Sequence, residues 1–285
     1  MFDSSVRLLT QSAPLIIAAQ AALISEYAGL LNVGIEGLML LGAFAAIGGI
    51  LLSGSIAGLL PAVLLTVLIC AGLSGVTAYL SVRRQANIYI LGLAVNLCAA
   101  GAVSILSTRF FGNGGIISLP HELLLPPQFI KTASIALAVL LSLFFAFFCR
   151  YNVTGLRLTV LGRDTEFLDS AGVNTGGLKI AALSISGAAA GLAGCLLSLQ
   201  LGAFVQNQSA GKGWIALVLA YAAGRSVLGT ACAAVLFVFL ENRIAAAQIG
   251  MEHPAVLIGL PFVLALVLII AEKLLYRIWR RSCRF

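Results

Sequence analysis

Apolar runs without a single charged residue divide the chain, at residues 12–25, 37–82, 85–108, 132–149, 180–211, 213–224, 226–240 and 254–271. A helix rises about 1.5 Å per residue, so roughly twenty apolar residues cross the ~30 Å of bilayer hydrocarbon. The second run is long enough for more than one crossing, and the turn formers Ser53-Gly54-Ser55 divide it into helices over residues 33–52 and 56–80. The run at 213–224 spans only some 18 Å, so it and the next run form either two broken spans or a re-entrant pair. The pattern predicts an all-α polytopic transmembrane helical bundle of about nine spans. It also predicts one transmembrane domain over residues 1–285, interrupted by a polar loop at 151–179 that carries a short helix.

Composition supports this solvent assignment. Of 285 residues, 61% are hydrophobic and 9% charged, where a soluble domain uses roughly a quarter charged residues. The 17 Lys and Arg exceed the 10 Asp and Glu, giving +7, a balance that in a soluble chain would raise the question of nucleic acid. Here the basic residues gather at the ends of apolar runs, at Arg83-Arg84, at 150–163 and at 273–284. That placement fixes membrane orientation and argues against a nucleic-acid partner. Short basic flanks favour the cytoplasm, which puts Arg83-Arg84, 150–179, Arg225 and the C-terminal tail inside. The N-terminus, the loop 109–131 and the segment 206–212 then lie outside. The first apolar run follows Arg7 but lacks a small-residue cleavage pattern, and is read as a retained span. The six cysteines are scattered singly, without the paired spacing of a zinc or redox site.

Polar residues within apolar runs are costly and usually face the bundle interior. Gln20, Glu26, Asn32, Glu36, Asn87, Asn96, Gln200, Gln206 and Asn207 are of this kind. The stretch Gly29-Leu30-Leu31-Asn32-Val33-Gly34-Ile35-Glu36-Gly37 reads as a helix break inside the membrane, with Asn32 or Glu36 capping the following helix. Glu36 either braces that break or contacts a substrate. Asn87 and Asn96 are placed on one helix about 180° apart. Phe204 with Gln206 and Asn207 offers stacking and hydrogen bonding to a polyhydroxylated or heterocyclic ligand. Gly34 is followed nine residues later by Ala43-Phe44-Ala45 and Gly211 by Ala220-Tyr221-Ala222, a faint repeat whose two copies run in opposite directions. No phosphate loop surrounds Lys212, since Gln206 and Gly213 stand where Gly and Ser or Thr are needed. The two histidines, His121 and His253, both fall in outer loops, which leaves no metal or catalytic cluster.

In the cytoplasmic loop, Asp164 or Thr165 is placed to cap a short helix that Gly172 ends, with Glu166 and Asp169 on its polar side. Phe167, Leu168 and Ala171 then make a small apolar patch that wants a partner.

The segments Asn32-Val33-Gly34-Ile35-Glu36-Gly37-Leu38-Met39-Leu40-Leu41-Gly42-Ala43-Phe44 and 155–174 resemble the two signature regions of ABC importer permeases for nucleosides and simple sugars. That group is related to ribose and branched-chain amino-acid permeases. Leu91-Gly92-Leu93-Ala94-Val95-Asn96-Leu97 and the run 204–217 are similar as well, so the resemblance covers most of the chain. It implies a non-enzymatic permease of a bacterial inner membrane, with no cofactor of its own. ATP would be hydrolysed by a separate ATP-binding subunit gripping a coupling helix formed by Arg163, Asp164, Thr165, Glu166, Phe167, Leu168, Asp169, Ala171 and Gly172. It further implies a second permease, related but different, and an external substrate-binding lipoprotein. Nucleosides come first as substrates, simple sugars second, and a flavin-like ligand also fits. One departure is that Gly162-Arg163-Asp164-Thr165 stands where the family usually has Gly-Glu-Asn-Pro, which keeps the cap but alters the charge shown to the ATPase. The rival reading is an ion-coupled secondary transporter using Glu26 and Glu36.

Overall fold

Within hydrocarbon the backbone finds no water, so each apolar run closes its hydrogen bonds internally as a helix. The computed structural model describes residues 2–112, 115–248 and 263. Its helices are α1 (Phe2–Tyr27), α2 (Ile35–Ser53), α3 (Leu59–Arg84), α4 (Ile88–Phe111), α5 (Pro127–Tyr151), α6 (Val153–Leu161), α7 (Thr165–Ser170), α8 (Thr175–Leu201), α9 (Lys212–Ala222) and α10 (Val227–Gln248). Strands β1 (Ile116–Ser118) and β2 (Ala203–Val205) pair antiparallel, Ile117 opposite Phe204.

The helical bundle agrees with the expectation; nine spans are not confirmed among the described residues. Among the described residues, seven helices are long and apolar enough to cross a membrane: α1, α2, α3 with the turn before it, α4, α5, α8 and α10. The run at 213–224 becomes α9, an 11-residue helix of about 16 Å that cannot cross alone. The span expected at 254–271 lies outside the described residues. Two boundaries also differ. α1 extends through Arg7, because a basic residue near the end of a span does not stop its helix. The apolar run 180–211 holds helix only to Leu201, where Gly202 turns left-handed (φ +69°) and β2 begins. Absence of charge does not mark a helix end; the glycine does.

α1 is the axis of the bundle. It packs against α5, α8, α9 and α10, while α2 lies against α8, α3 and α4. The helices α1, α2 and α8 are largely buried, and α3, α4, α5 and α10 form the sheath. The sheath exposes Leu68, Leu97, Ile105, Leu140 and Phe144, a continuous apolar surface that lipid rather than water must cover. The two ends of the bundle are distinct. At one, Phe44 packs edge-on against Phe111 and Phe204, so the loop after α4 and the segment after α8 share that strand end. At the other, Gly162 abuts the carbonyls of Glu26 and Tyr27, and Arg225 meets the same end of α1. The segments grouped at each end are those the charge pattern groups together.

Close approach of α2 and α8 depends on missing side chains. A Cβ on Gly42 would overlap the Gly191 carbonyl, and one on Gly194 the Met39 carbonyl. Backbone cannot yield as a flexible side chain does. Gly72 on α3, by contrast, has nothing within 4 Å of such a Cβ. Gly194→Ala should therefore lower the detergent melting temperature, by the equivalent of about 1–3 kcal/mol. Gly72→Ala should leave it unchanged or raise it slightly, by up to ~1 kcal/mol from helix propensity. Thermal unfolding of the two purified variants checks the pair.

Candidate functional site

The break between α1 and α2 is real, and five hydrogen bonds hold it open. Gly29 takes φ +70°, after which Asn32 is buried with its backbone N–H donating to Ser25 Oγ at 3.2 Å. The Asn32 amide donates to Ser74 Oγ at 3.3 Å and Ser186 Oγ at 3.1 Å, tying the break to α3 and α8. Asn96 of α4 accepts the Gly37 N–H at 2.8 Å and donates to the Val33 carbonyl at 2.9 Å. It thus satisfies one donor and one acceptor that the interrupted helix leaves bare.

Glu36 does something the sequence did not disclose. It does not cap α2, whose N-cap is Gly34 without a side-chain bond; it caps α9. The Gly211 N–H donates to Glu36 Oε1 at 2.9 Å and the Gly213 N–H to Oε2 at 2.7 Å. An 11-residue helix is marginal by itself, and α9 has no cap of its own at Gly211 (φ +85°). The carboxylate comes from 175 residues away in sequence and lies at the positive ends of two helices at once. The two then diverge, α2 toward the strand end and α9 toward Arg225. Gly213 admits this contact because a Cβ there would meet the Glu36 backbone at 2.6 Å.

Around this junction the remaining sequence candidates separate. Glu36 and Asn96 are half-buried, and α9 presents Trp214 (40% exposed) and Tyr221 (47% exposed). Both follow within ten residues of Gly211, but an aromatic in an apolar run carries no local sign of its exposure. Asn87 is not within the helix carrying Asn96: it is the exposed N-cap of α4, accepting from the Tyr89 N–H at 2.9 Å. Asn32 is a buried brace, and Phe204 is fully buried against Phe44. Gln206 and Asn207 are exposed at the strand end, where the Gln206 N–H donates to the Gly115 carbonyl at 3.0 Å. Gln20 and Gln200 also brace helices, Gln20 against Ser142 and Gln200 against the Thr10 carbonyl.

At the opposite end, α7 is a six-residue helix capped by Asp164, whose carboxylate accepts the Phe167 N–H at 2.9 Å. Thr165 instead donates to the Leu161 carbonyl. Gly172 (φ +74°) ends the turn, and Asp169 accepts from Thr175 Oγ1 at 2.6 Å. The expected apolar patch is divided: Leu168 is 5% exposed and joins the core, while Phe167 is 60% exposed. Ala171, Arg163 and Glu166 are exposed as well. Immediately behind this loop, Arg225 Nε lies 3.9 Å from Glu26 Oε1, and the Tyr27 hydroxyl donates to the Arg225 carbonyl at 2.6 Å. The Arg225 guanidinium sits over the Tyr27 ring at 5.4 Å. These bonds hold Arg225 at φ +61°, a region non-glycine residues seldom adopt. The α6–α7 turn, the α1 end and the α9–α10 turn therefore meet at one point.

Residues 4–267 match the family described as branched-chain amino acid transport system / permease component. The chain is 31% identical over 223 residues to a protein of Haloferax volcanii named as a glucose ABC transporter permease, a match covering 72% of this chain and 65% of that protein. The chain thus spans just under two thirds of that relative's length. It is 26% identical to a guanosine ABC transporter permease of Bacillus subtilis, over 82% of this chain and 79% of the relative. A nucleoside ABC transporter permease of Lactococcus lactis is 24% identical, over 87% and 83%. No solved structure matches the chain.

Substituting Glu36 by Gln removes the charge and leaves one acceptor oxygen for two N–H donors. Glu36→Gln should cost on the order of 1–3 kcal/mol of stability and speed amide exchange at Gly211 and Gly213. The exposed Glu166→Gln should stay within about 0.5 kcal/mol. Thermal unfolding with site-resolved hydrogen exchange checks both.

Proposed function

This chain belongs to the branched-chain amino acid transport system / permease component family, and on that premise we propose that it is the membrane subunit of an ATP-driven importer for nucleosides. The observation that carries the reading is α7: a capped turn anchored by Leu168 and presenting Phe167 outward. A separate ATP-binding subunit grips Phe167, Ala171 and the flanking Arg163 and Glu166, and its closure moves the loop. That motion reaches α1 where Gly162 abuts Gly29, and reaches the α9–α10 turn through Glu26, Tyr27 and Arg225. Because Glu36 locks the start of α9 to the start of α2, the two helices swing together, a rigid-body change between two states.

The loop end, with Arg150, Arg157, Arg163 and Arg225, faces the cytoplasm of a bacterium by the positive-inside rule. The strand end, with Gln206 and Asn207, then faces an external binding protein that delivers the substrate. A second, related permease completes the path against the side where α4 and α9 present Asn96, Trp214 and Tyr221. Half-exposed aromatics along α9, starting at the Glu36 junction, suit a nucleobase, which offers a π face and hydrogen-bonding edges. The names of the guanosine and nucleoside relatives support that choice, and that of the glucose relative keeps a simple sugar as the alternative. Gly34 and Gly211 as N-caps of head-to-head helices support an inverted repeat. The ion-driven reading needs carboxylates available for coupling, whereas Glu36 is bonded through both oxygens and Glu26 faces Arg225.

Uptake by proteoliposomes holding the permeases and their ATPase tests this. Phe167→Glu should insert and melt as the parent does, yet lose ATP-dependent nucleoside uptake by about tenfold or more. Leu168→Glu should fail to fold, because it buries an unpaired charge. Parental uptake by Phe167→Glu would remove α7 as the handle, and uptake that follows an ion gradient while ignoring ATP would restore the rival.

A further inference from the structure

The strand end of the bundle holds a cleft that the transport reading does not use. The first turns of α1 and the last described turns of α10 enclose about 750 Å³, lined by Ser4, Arg7, Gln11, Asn242 and Arg243. Asn242 Nδ2 donates to Gln11 Oε1 at 2.8 Å, which forms a bridge between the two helices. Arg243 lies over the Phe239 ring at 5.2 Å. Neither Arg7 nor Arg243 is ion-paired with a carboxylate among the described residues. Two guanidinium groups facing one polar cleft repel each other, and an anion bonded to both removes that repulsion.

Leu8 and Phe239 line this cleft and also the head of a second one. The second is a groove of about 550 Å³ between α1, α5 and α10, walled by residues such as Ile16, Val139, Leu143 and Leu236. From Phe239 back to Leu228 it follows α10 for roughly 16 Å, about half the hydrocarbon thickness of a bilayer. Arg7 lies twenty residues from the far end of α1, hence about 30 Å away, which sets it at headgroup depth. A cationic polar cleft above an apolar groove of one-leaflet length repeats the order of groups in a phospholipid.

We propose that these joined clefts bind one anionic phospholipid, its headgroup phosphate between Arg7 and Arg243 and an acyl chain along the groove. The site is independent of the nucleoside pathway. It would fasten the start of α1 to the end of α10, the two helices that the Glu26–Arg225 contact joins at the other end.

Native mass spectrometry of the full chain in its assembled complex tests the site, with phosphatidylglycerol and phosphatidylcholine as probes. Phosphatidylglycerol should be retained in preference. The double variant Arg7→Gln, Arg243→Gln should lose that retention by about tenfold or more, while Arg109→Gln at the same end keeps it. Equal retention of both lipids, an unaffected double variant, or displacement of the lipid by millimolar inorganic phosphate would overturn the proposal. A photo-crosslinking residue in place of Leu236 adds an arm that does not depend on the arginines. Adducts to phospholipid support the site, and adducts only to protein, whether the second permease or this chain, overturn it.

Discussion

A single carboxylate joins two helices that begin 177 residues apart: Glu36, in the first turn of α2, accepts the free N–H groups at the start of α9. Helix ends buried among apolar neighbours must find partners, because an unbonded N–H in hydrocarbon costs several kcal/mol. Without Glu36, α9 would be too short to hold and too bare to bury. Two charge-assisted bonds of about 1.5–3 kcal/mol each, together with the field of two helix ends, make the junction a fixed point. The break at Gly29–Gly34, the braces from Asn32 and Asn96, and the missing side chain at Gly213 all serve that contact.

From that fixed point the rest of the architecture has a mechanical reading. Helices α2 and α8 meet through glycines at which backbones nearly touch, so they transmit displacement rather than absorb it. The α6–α7 loop presses on the end of α1 through Gly162, where the Arg225 turn is also fastened. On the proposed coupling, a push on α7 would reach the end of α1 and the α9–α10 turn, which adjoin the two helices that converge on Glu36. The sheath helices face lipid, and the clefts at the opposite end would steady α1 against α10 while the loop end moves.

Much of this was legible in the sequence, and the omissions have physical causes. Apolar run length gave the long helices because hydrocarbon thickness sets a minimum span. The cap at Asp164 and the stop at Gly172 followed from local chemistry, which depends only on neighbours a few residues apart. Glu36 reads as a cap for the helix around it, but the helix it serves lies across the fold, and no local rule links position 36 to 211. Leu168 read as part of an outward patch because helical spacing cannot say which neighbour covers it; the core does. For the same reason the sequence does not show that Phe204 and Asn32 are buried. Polar or aromatic residues in apolar runs serve bracing as readily as binding, and only packing separates the two uses.

The central claim is that Glu36 makes α2 and α9 one moving body. Spin labels at Leu52→Cys on α2 and Tyr221→Cys on α9, both exposed positions, measure it directly, with Cys98, Cys232 and Cys283 replaced by Ser. Pulsed electron–electron resonance on the assembled complex, with and without ATP, should give one unchanged distance between these labels while Ser170→Cys on α7 shifts relative to a sheath label at Leu97→Cys. A distance between α2 and α9 that divides into two populations on adding ATP would contradict the account.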